Sequence, residues 1–233
     1  YDQQIREIEI FFSEAKAYCE SKPALSDLRF EAMCAIFSGE RTLYIRAEDV
    51  TSIREAIQFA DRMHIKKVAI VGGYESYLLA DLLAQRNIPV LLRRLHEYPM
   101  YAEEDVDLPY KIPNMLHAAG VRFALQNEGD MERMGTRNLA FYAGTAVAYG
   151  LPYEQAVKSI TLEPATILGI EKWVGSLEVG KRATLFISKG DALDMRTNQL
   201  THAFIDGREI DLSSKQTELY ERYRTKYENQ QDK

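Results

Sequence analysis

Two hydrophobic rhythms alternate along the chain. Apolar residues recurring every three or four positions predict helices, and short β-rich runs between them predict strands. "YDQQIREIEIFFSEAKAYCESK" opens in helical rhythm, with Ile5, Ile8, Phe11, Phe12 and Ala15 in phase. After Pro23, "LSDLRFEAMCAIFSGE" predicts a second helix, with Asp27 near its start and Gly39 as the stop. "TLYIRA" (42–47) predicts a strand, and "TSIREAIQFADRMHI" a helix capped by Thr51 or Ser52. The unit then repeats, with strand "KVAIVG" (67–72), helix "YESYLLADLLAQRN" (74–87) and strand "IPVLLRR" (88–94). A proline-containing loop leads to helix "IPNMLHAAG" (112–120) and strand "VRFALQ" (121–126).

Strands alternating with helices read as parallel βα units, and strands apolar on both faces fit a sheet covered by helices. The rhythm alone supports an open doubly wound sheet and part of a (β/α)8 barrel equally. In either fold, functional side chains gather at the C-terminal ends of the strands. Those ends carry Arg46, Gly72, Gly73, Arg93 and the loop 126–130. There "FALQNEGD" breaks from an apolar strand into Glu128 and Asp130, the candidate catalytic carboxylates.

Beyond the fourth strand, "TRNLAFYAGTAVAYG" predicts a helix closed by Gly150. "PYEQAVKSIT" predicts another, with Pro152 at its start, and "EPATILGI" a short third. The texture then changes to glycine-punctuated β material, "VGSLEVGKRATLFISKG". "LTHAFIDGREI" reads as a hairpin turning at Asp206–Gly207, and a charged, tyrosine-bearing segment follows it as a terminal helix. The expected organisation is an α/β region at 1–165, a small β unit at 166–212 and a tail at 213–233.

A net charge of −6 argues against a nucleic-acid surface, which needs clustered Lys and Arg. No apolar run approaches the roughly 20 residues that span a bilayer. Cys19 and Cys34 do not make a disulfide scaffold and are compatible with a reducing compartment. Composition does not decide between cytoplasm and periplasm. The abrupt helical start, with no cap residue and no initiator methionine, reads as a processed or truncated product; a mature protein beginning on a helix is the alternative.

Residues 161–210, "TLEPATILGIEKWVGSLEVGKRATLFISKGDALDMRTNQLTHAFIDGREI", resemble the end of metal-dependent amidohydrolases, particularly the imidazolonepropionase- and prolidase-like group. That family carries T-x-N-P-A-x-x-L-G, then G-S-L-E-V-G-K-x-A-D-L, then a V-x-x-V-x-x-D-G-K/R hairpin. "IPNMLHAAGVRFAL" also looks like the family's approach to barrel strand eight, so the resemblance covers about residues 25 to 210. It implies an α/β fold, a partial (β/α)8 TIM barrel holding strands five to eight, with a small C-terminal β unit. Four strands cannot close an eight-stranded barrel. An open barrel would also leave wet whichever of Leu43, Ile45, Val68, Ile70, Val90 and Leu92 point inward. Self-association, or a polypeptide supplying the missing strands, is therefore expected.

The resemblance further places Arg46 and Gly72 where the family keeps metal-binding histidines, and Glu128 where it keeps an aspartate, with Asp130 two residues on. A guanidinium has no lone pair to donate and glycine has no side chain, whereas a catalytic zinc takes three protein ligands as a rule. No cofactor is expected for this chain, and zinc only in a completed site. Arg46 is instead placed to pair with Glu128 across the barrel mouth, a surface pair or no pair being the alternative. Arg46, Arg93 and His96 are the candidates for binding a small anionic substrate. His64 near a helix C-terminus, His117 within a helix and His202 in the β unit read as structural. Three functions stay open: a non-catalytic amidohydrolase-like protein, a hydrolase of carbon–nitrogen bonds completed by a missing N-terminal half, and a small-molecule binding module.

Overall fold

Four short strands lie side by side in chain order and run parallel: β1 (Leu43–Ala47), β2 (Val68–Gly72), β3 (Val90–Leu92) and β4 (Phe123–Leu125). They belong to the first of two units, Tyr1–Ser176 and Leu177–Lys233, in a computed structural model that describes residues 2–21, 23–128 and 132–231. The order follows from the βα repeat, because each crossover helix returns the chain to the same end of the sheet. α1 (Asp2–Ser21) and α2 (Leu28–Ser38) precede the sheet, and α3 (Val50–Met63), α4 (Ala80–Gln85) and α5 (Leu108–Ala118) connect its strands. α6 (Glu132–Gly135), α7 (Leu139–Ala148), α8 (Tyr153–Ile160) and α9 (Leu162–Leu168) follow β4.

One set of alternating strand positions is packed by this chain's own helices, and the other is covered only in part, with Tyr44 and Arg46 exposed and Val71 and Leu91 half-buried. Ile70, Val90 and Leu92 are buried, as are Val68, Phe123 and Leu125, and the helices contribute Ile53, Ile57, Leu83, Ile112 and Leu116 to the core. The other phase carries Ala69, Leu91 and Ala124, which cluster with Ile167 of α9, and the Tyr44 hydroxyl donates to the Ile167 carbonyl at 2.9 Å. The expectation of wet interior side chains is thus corrected. Val68, Ile70, Val90 and Leu92 are buried, and Leu43 and Ile45 are half-buried.

Several element boundaries move for identifiable reasons. α3 is capped by Asp49 rather than by Thr51 or Ser52: Asp49 sits in extended backbone and its carboxylate accepts from the Ser52 N–H at 3.0 Å and the Ser52 hydroxyl at 2.7 Å. His64 closes the same helix in the left-handed region, φ 57°. The helix expected over 74–87 begins as a 3-10 turn, Tyr74–Leu79. Its first amides are drawn to β1's end, Tyr74 N–H to Glu48 Oε2 (3.2 Å) and Glu75 N–H to the Glu48 carbonyl (2.8 Å). α5 starts at Leu108, earlier than the expected 112, and runs through Pro113. The two cysteines, too few for a disulfide scaffold and read as compatible with a reducing compartment, form one disulfide that ties α1 to α2 with a Cα–Cα distance of 5.5 Å.

In the second unit, β5 (Leu185–Ser188), β6 (Leu200–Ile205) and β7 (Arg208–Glu209) make an antiparallel sheet, and α10 (Lys215–Gln231) follows. The β6–β7 turn is Asp206–Gly207, both with positive φ (50° and 79°), as a two-residue hairpin of this sequence requires. Among the described residues no helix is long and apolar enough to cross a membrane.

Candidate functional site

The C-terminal ends of the four parallel strands hold charges in pairs. Arg46, near the end of β1, forms an ion pair with Glu128, just beyond β4. β1 and β4 are the outer strands of the sheet, three steps of about 4.8 Å apart. The two side chains therefore lean over β2 and β3 on one face to meet. Strand alternation puts Glu128 in phase with Ala124 and Gln126. The Gln126 amide donates to Glu128 Oε2 at 2.8 Å and to the Leu91 carbonyl at 2.9 Å. The Glu128 side chain is 15% exposed and that of Arg46 69%, so a largely buried carboxylate meets a cation whose other side is solvated.

A second cluster lies beside the first. Glu48, two residues after Arg46 and in the same strand phase, accepts from Tyr74 N–H and lies 3.5 Å from Arg93 Nη1. Arg93 Nη2 reaches Glu97 Oε2 at 2.5 Å, and Arg94 Nε donates to Glu97 Oε1 at 2.9 Å. Three guanidiniums (Arg46, Arg93, Arg94) thus face three carboxylates (Glu48, Glu97, Glu128).

His96 belongs to a different group. Its Nε2 lies 2.7 Å from Thr145 Oγ1, and Thr145 donates its own hydrogen to the Phe141 carbonyl at 3.0 Å, so the imidazole is the donor in that contact. Its ring meets Tyr142 edge-on at 4.6 Å, and the Tyr142 hydroxyl donates to Asn127 Oδ1 at 3.1 Å. Partial burial, aided by the Arg94 charge, holds the His96 pKa below its ordinary value, which favours the neutral imidazole.

Of the residues singled out from sequence, Arg46 and Glu128 are brought together, Arg93 joins the neighbouring cluster, and Asp130 lies outside the described residues. Glu48, Glu97 and Gln126 were missed. The signal for Glu48 is its two-residue spacing from Arg46, and for Glu97 its i,i+4 spacing from Arg93.

These residues do not fit a metal. The carboxylate best placed to ligate one, Glu128, already holds a permanent cation, and a second cation beside Arg46 would be repelled. Gly72 offers no donor. Among the described residues no three or more His, Cys, Asp and Glu side chains come together as a metal group.

Residues 45–210 match the amidohydrolase family. An imidazolonepropionase of Flavobacterium psychrophilum is 22% identical over 189 residues, covering 72% of this chain and 46% of its own length. The crystal structure of an amidohydrolase from Thermotoga maritima superposes with a TM-score of 0.78 at 28% identity, over 88% of this chain and 54% of that one. A prolidase complexed with N-methylphosphonate-L-proline shares the fold, with a TM-score of 0.53 at 18% identity, over 80% of this chain and 50% of that one. The chain spans about half the length of these relatives. The match over 45–210 takes in the parallel sheet, its charged strand ends and the antiparallel unit, and the chain belongs to the amidohydrolase family.

Proposed function

We propose that this chain is an amidohydrolase-like protein or fragment that lacks a complete catalytic metal site, with ion pairs standing where metal ligands would be. The observation that carries the reading is the Arg46 guanidinium on the Glu128 carboxylate. In this reading residues 1–165 are barrel strands five to eight with their helices, 166–212 a segment of a composite β-sandwich, and 213–233 a terminal helix. The cross-sheet reach of Arg46 to Glu128 supports a sheet curved toward that face, as a barrel requires, and the overlap with about half the length of longer relatives is consistent with strands five to eight.

A second reading keeps hydrolysis of carbon–nitrogen bonds, with Glu128 and Asp130 catalytic and the remaining ligands supplied by an N-terminal half. The half-length overlap favours it equally, and an H-x-H motif upstream in the gene separates the two. The third reading, an anionic ligand on Arg46, Arg93 and His96, is weakened at Arg93, whose guanidinium is engaged by Glu48 and Glu97. Metal analysis of the purified chain after dialysis tests the proposal. Far less than one zinc per chain is expected, and one tightly held zinc per chain refutes it.

A further inference from the structure

Gly72 ends β2 with φ +97°, a backbone conformation that L side chains rarely adopt. Its surroundings add a second constraint. A Cβ built on Gly72 would fall on the Glu48 carboxylate, with both oxygens and Cδ crowded against it. The space a side chain would take at the end of β2 is therefore occupied by a side chain from the end of β1.

Glu48 is anchored there from several directions. Its Oε2 accepts the Tyr74 N–H at 3.2 Å and faces Arg93 Nη1 at 3.5 Å. Its backbone carbonyl accepts the Glu75 N–H at 2.8 Å, and the Glu75 carboxylate accepts the Val50 N–H at 2.7 Å. The turns leaving β1 and β2 are thereby joined reciprocally. Arg93 extends the linkage to the end of β3.

From this geometry we infer that Glu48 occupies the space a side chain at position 72 would take and is the link in a polar clamp that joins the ends of β1, β2 and β3. The clamp deepens the proposed reading of an incomplete metal site and rests on it. Its chemistry is that of a packed polar cluster: the Glu48 carboxylate, held by the Tyr74 N–H and Arg93, fills the space beside Gly72 that a further ligand side chain would need. A ligand side chain at position 72 would have to displace Glu48 before it could reach anything.

A double-mutant cycle tests this. Gly72→Ala is made in the natural chain and in a Glu48→Ala background, and thermal unfolding is followed for all four proteins. The strain of alanine at positive φ is common to both backgrounds and cancels in the cycle. The Tm loss caused by Gly72→Ala is expected to be smaller by roughly 2–4 °C or more in the Glu48→Ala background. Equal losses overturn the inference. Should Gly72→Ala fail to fold, hydrogen exchange on Glu48→Ala alone decides. The Tyr74 amide loses its side-chain acceptor whereas the Glu75 amide keeps a backbone one. Exchange at Tyr74 is therefore expected to accelerate roughly tenfold relative to Glu75, and an unchanged ratio overturns the inference. Stoichiometric zinc in the natural chain would remove the incomplete-site reading while leaving the cycle's outcome intact, so the two failures are distinguishable.

Discussion

A carboxylate serves as a metal ligand or as an ion-pair partner according to what stands opposite it, and at Glu128 that is Arg46. The two partners are not equally buried, and this sets the sign of a test. Glu128→Gln leaves Arg46 in water and retains an acceptor for Gln126, so the loss should be about 1 kcal/mol. Arg46→Met removes the cation from a carboxylate that is only 15% exposed, and an unpaired buried charge costs more than an unpaired solvated one. Urea unfolding should therefore show the larger loss for Arg46→Met, and the reverse order would contradict the pairing described here. If the chain has hydrolytic activity, Glu128→Gln should spare it; a genuine rate abolished by that change returns Glu128 to catalysis. The pair was legible from sequence because the family resemblance places Arg46 and Glu128 at two ligand positions of one barrel mouth. Glu48 was not, because its role depends on the volume left by Gly72, a residue distant in sequence.

At the scale of elements, periodicity placed the four strands and most helices, since apolar spacing reports the face each element buries. What it missed was tertiary. The first amides of the Tyr74–Leu79 turn are held by Glu48 from the end of β1, and α3 begins at Val50 because Asp49 caps it. The Cys19–Cys34 bridge was also invisible, because two cysteines fifteen residues apart pair only if α1 and α2 fold back on each other. The rest of what holds that hairpin lies near the surface. α2 buries no residue fully and in α1 Ala15 is the buried one among the described residues; ring packings such as Phe11–Phe30 at 5.5 Å and Phe12–Phe59 at 5.0 Å, the Asp27 N–H donating to the Tyr18 hydroxyl and the Arg62–Glu9 pair supply the other contacts. Closing a loop of this length contributes roughly 3 kcal/mol. Reductant should therefore raise amide exchange and protease cleavage over residues 2–38 while leaving β2 and β3 protected. Two thiols alkylated in the unreduced native protein, or no change on reduction, would contradict this. Because disulfides persist in oxidising surroundings, the same measurement on protein taken from its native compartment reports where the chain matures.

At the scale of the whole chain, association turns mainly on backbone. One phase of the strands is packed by the chain's own helices, and in the other Tyr44 is exposed while Val71 and Leu91 are half-buried. Also open, among the described residues, is hydrogen bonding along the outer edges of β1 and β4. In a parallel ladder alternate residues bond to one neighbour. Leu43 N–H is engaged toward β2 through the Lys67 carbonyl, which turns the amides of Tyr44 and Arg46 to the unpaired side. α1 does not seal that edge: between it, β1 and α3 lies a groove of about 720 Å³ lined by Ile5, Ile8, Phe12 and Phe59. Exposed edges of this kind invite a further strand. We expect self-association, or pairing with a polypeptide that supplies the missing strands. Light scattering at micromolar concentration should give a mass above 26.7 kDa for the chain alone, or a stoichiometric complex once the complementary half is added. A monodisperse monomer, with the Tyr44 and Arg46 amides protected and no complex with that half, would mean that α1 and α2 cap the edge on their own.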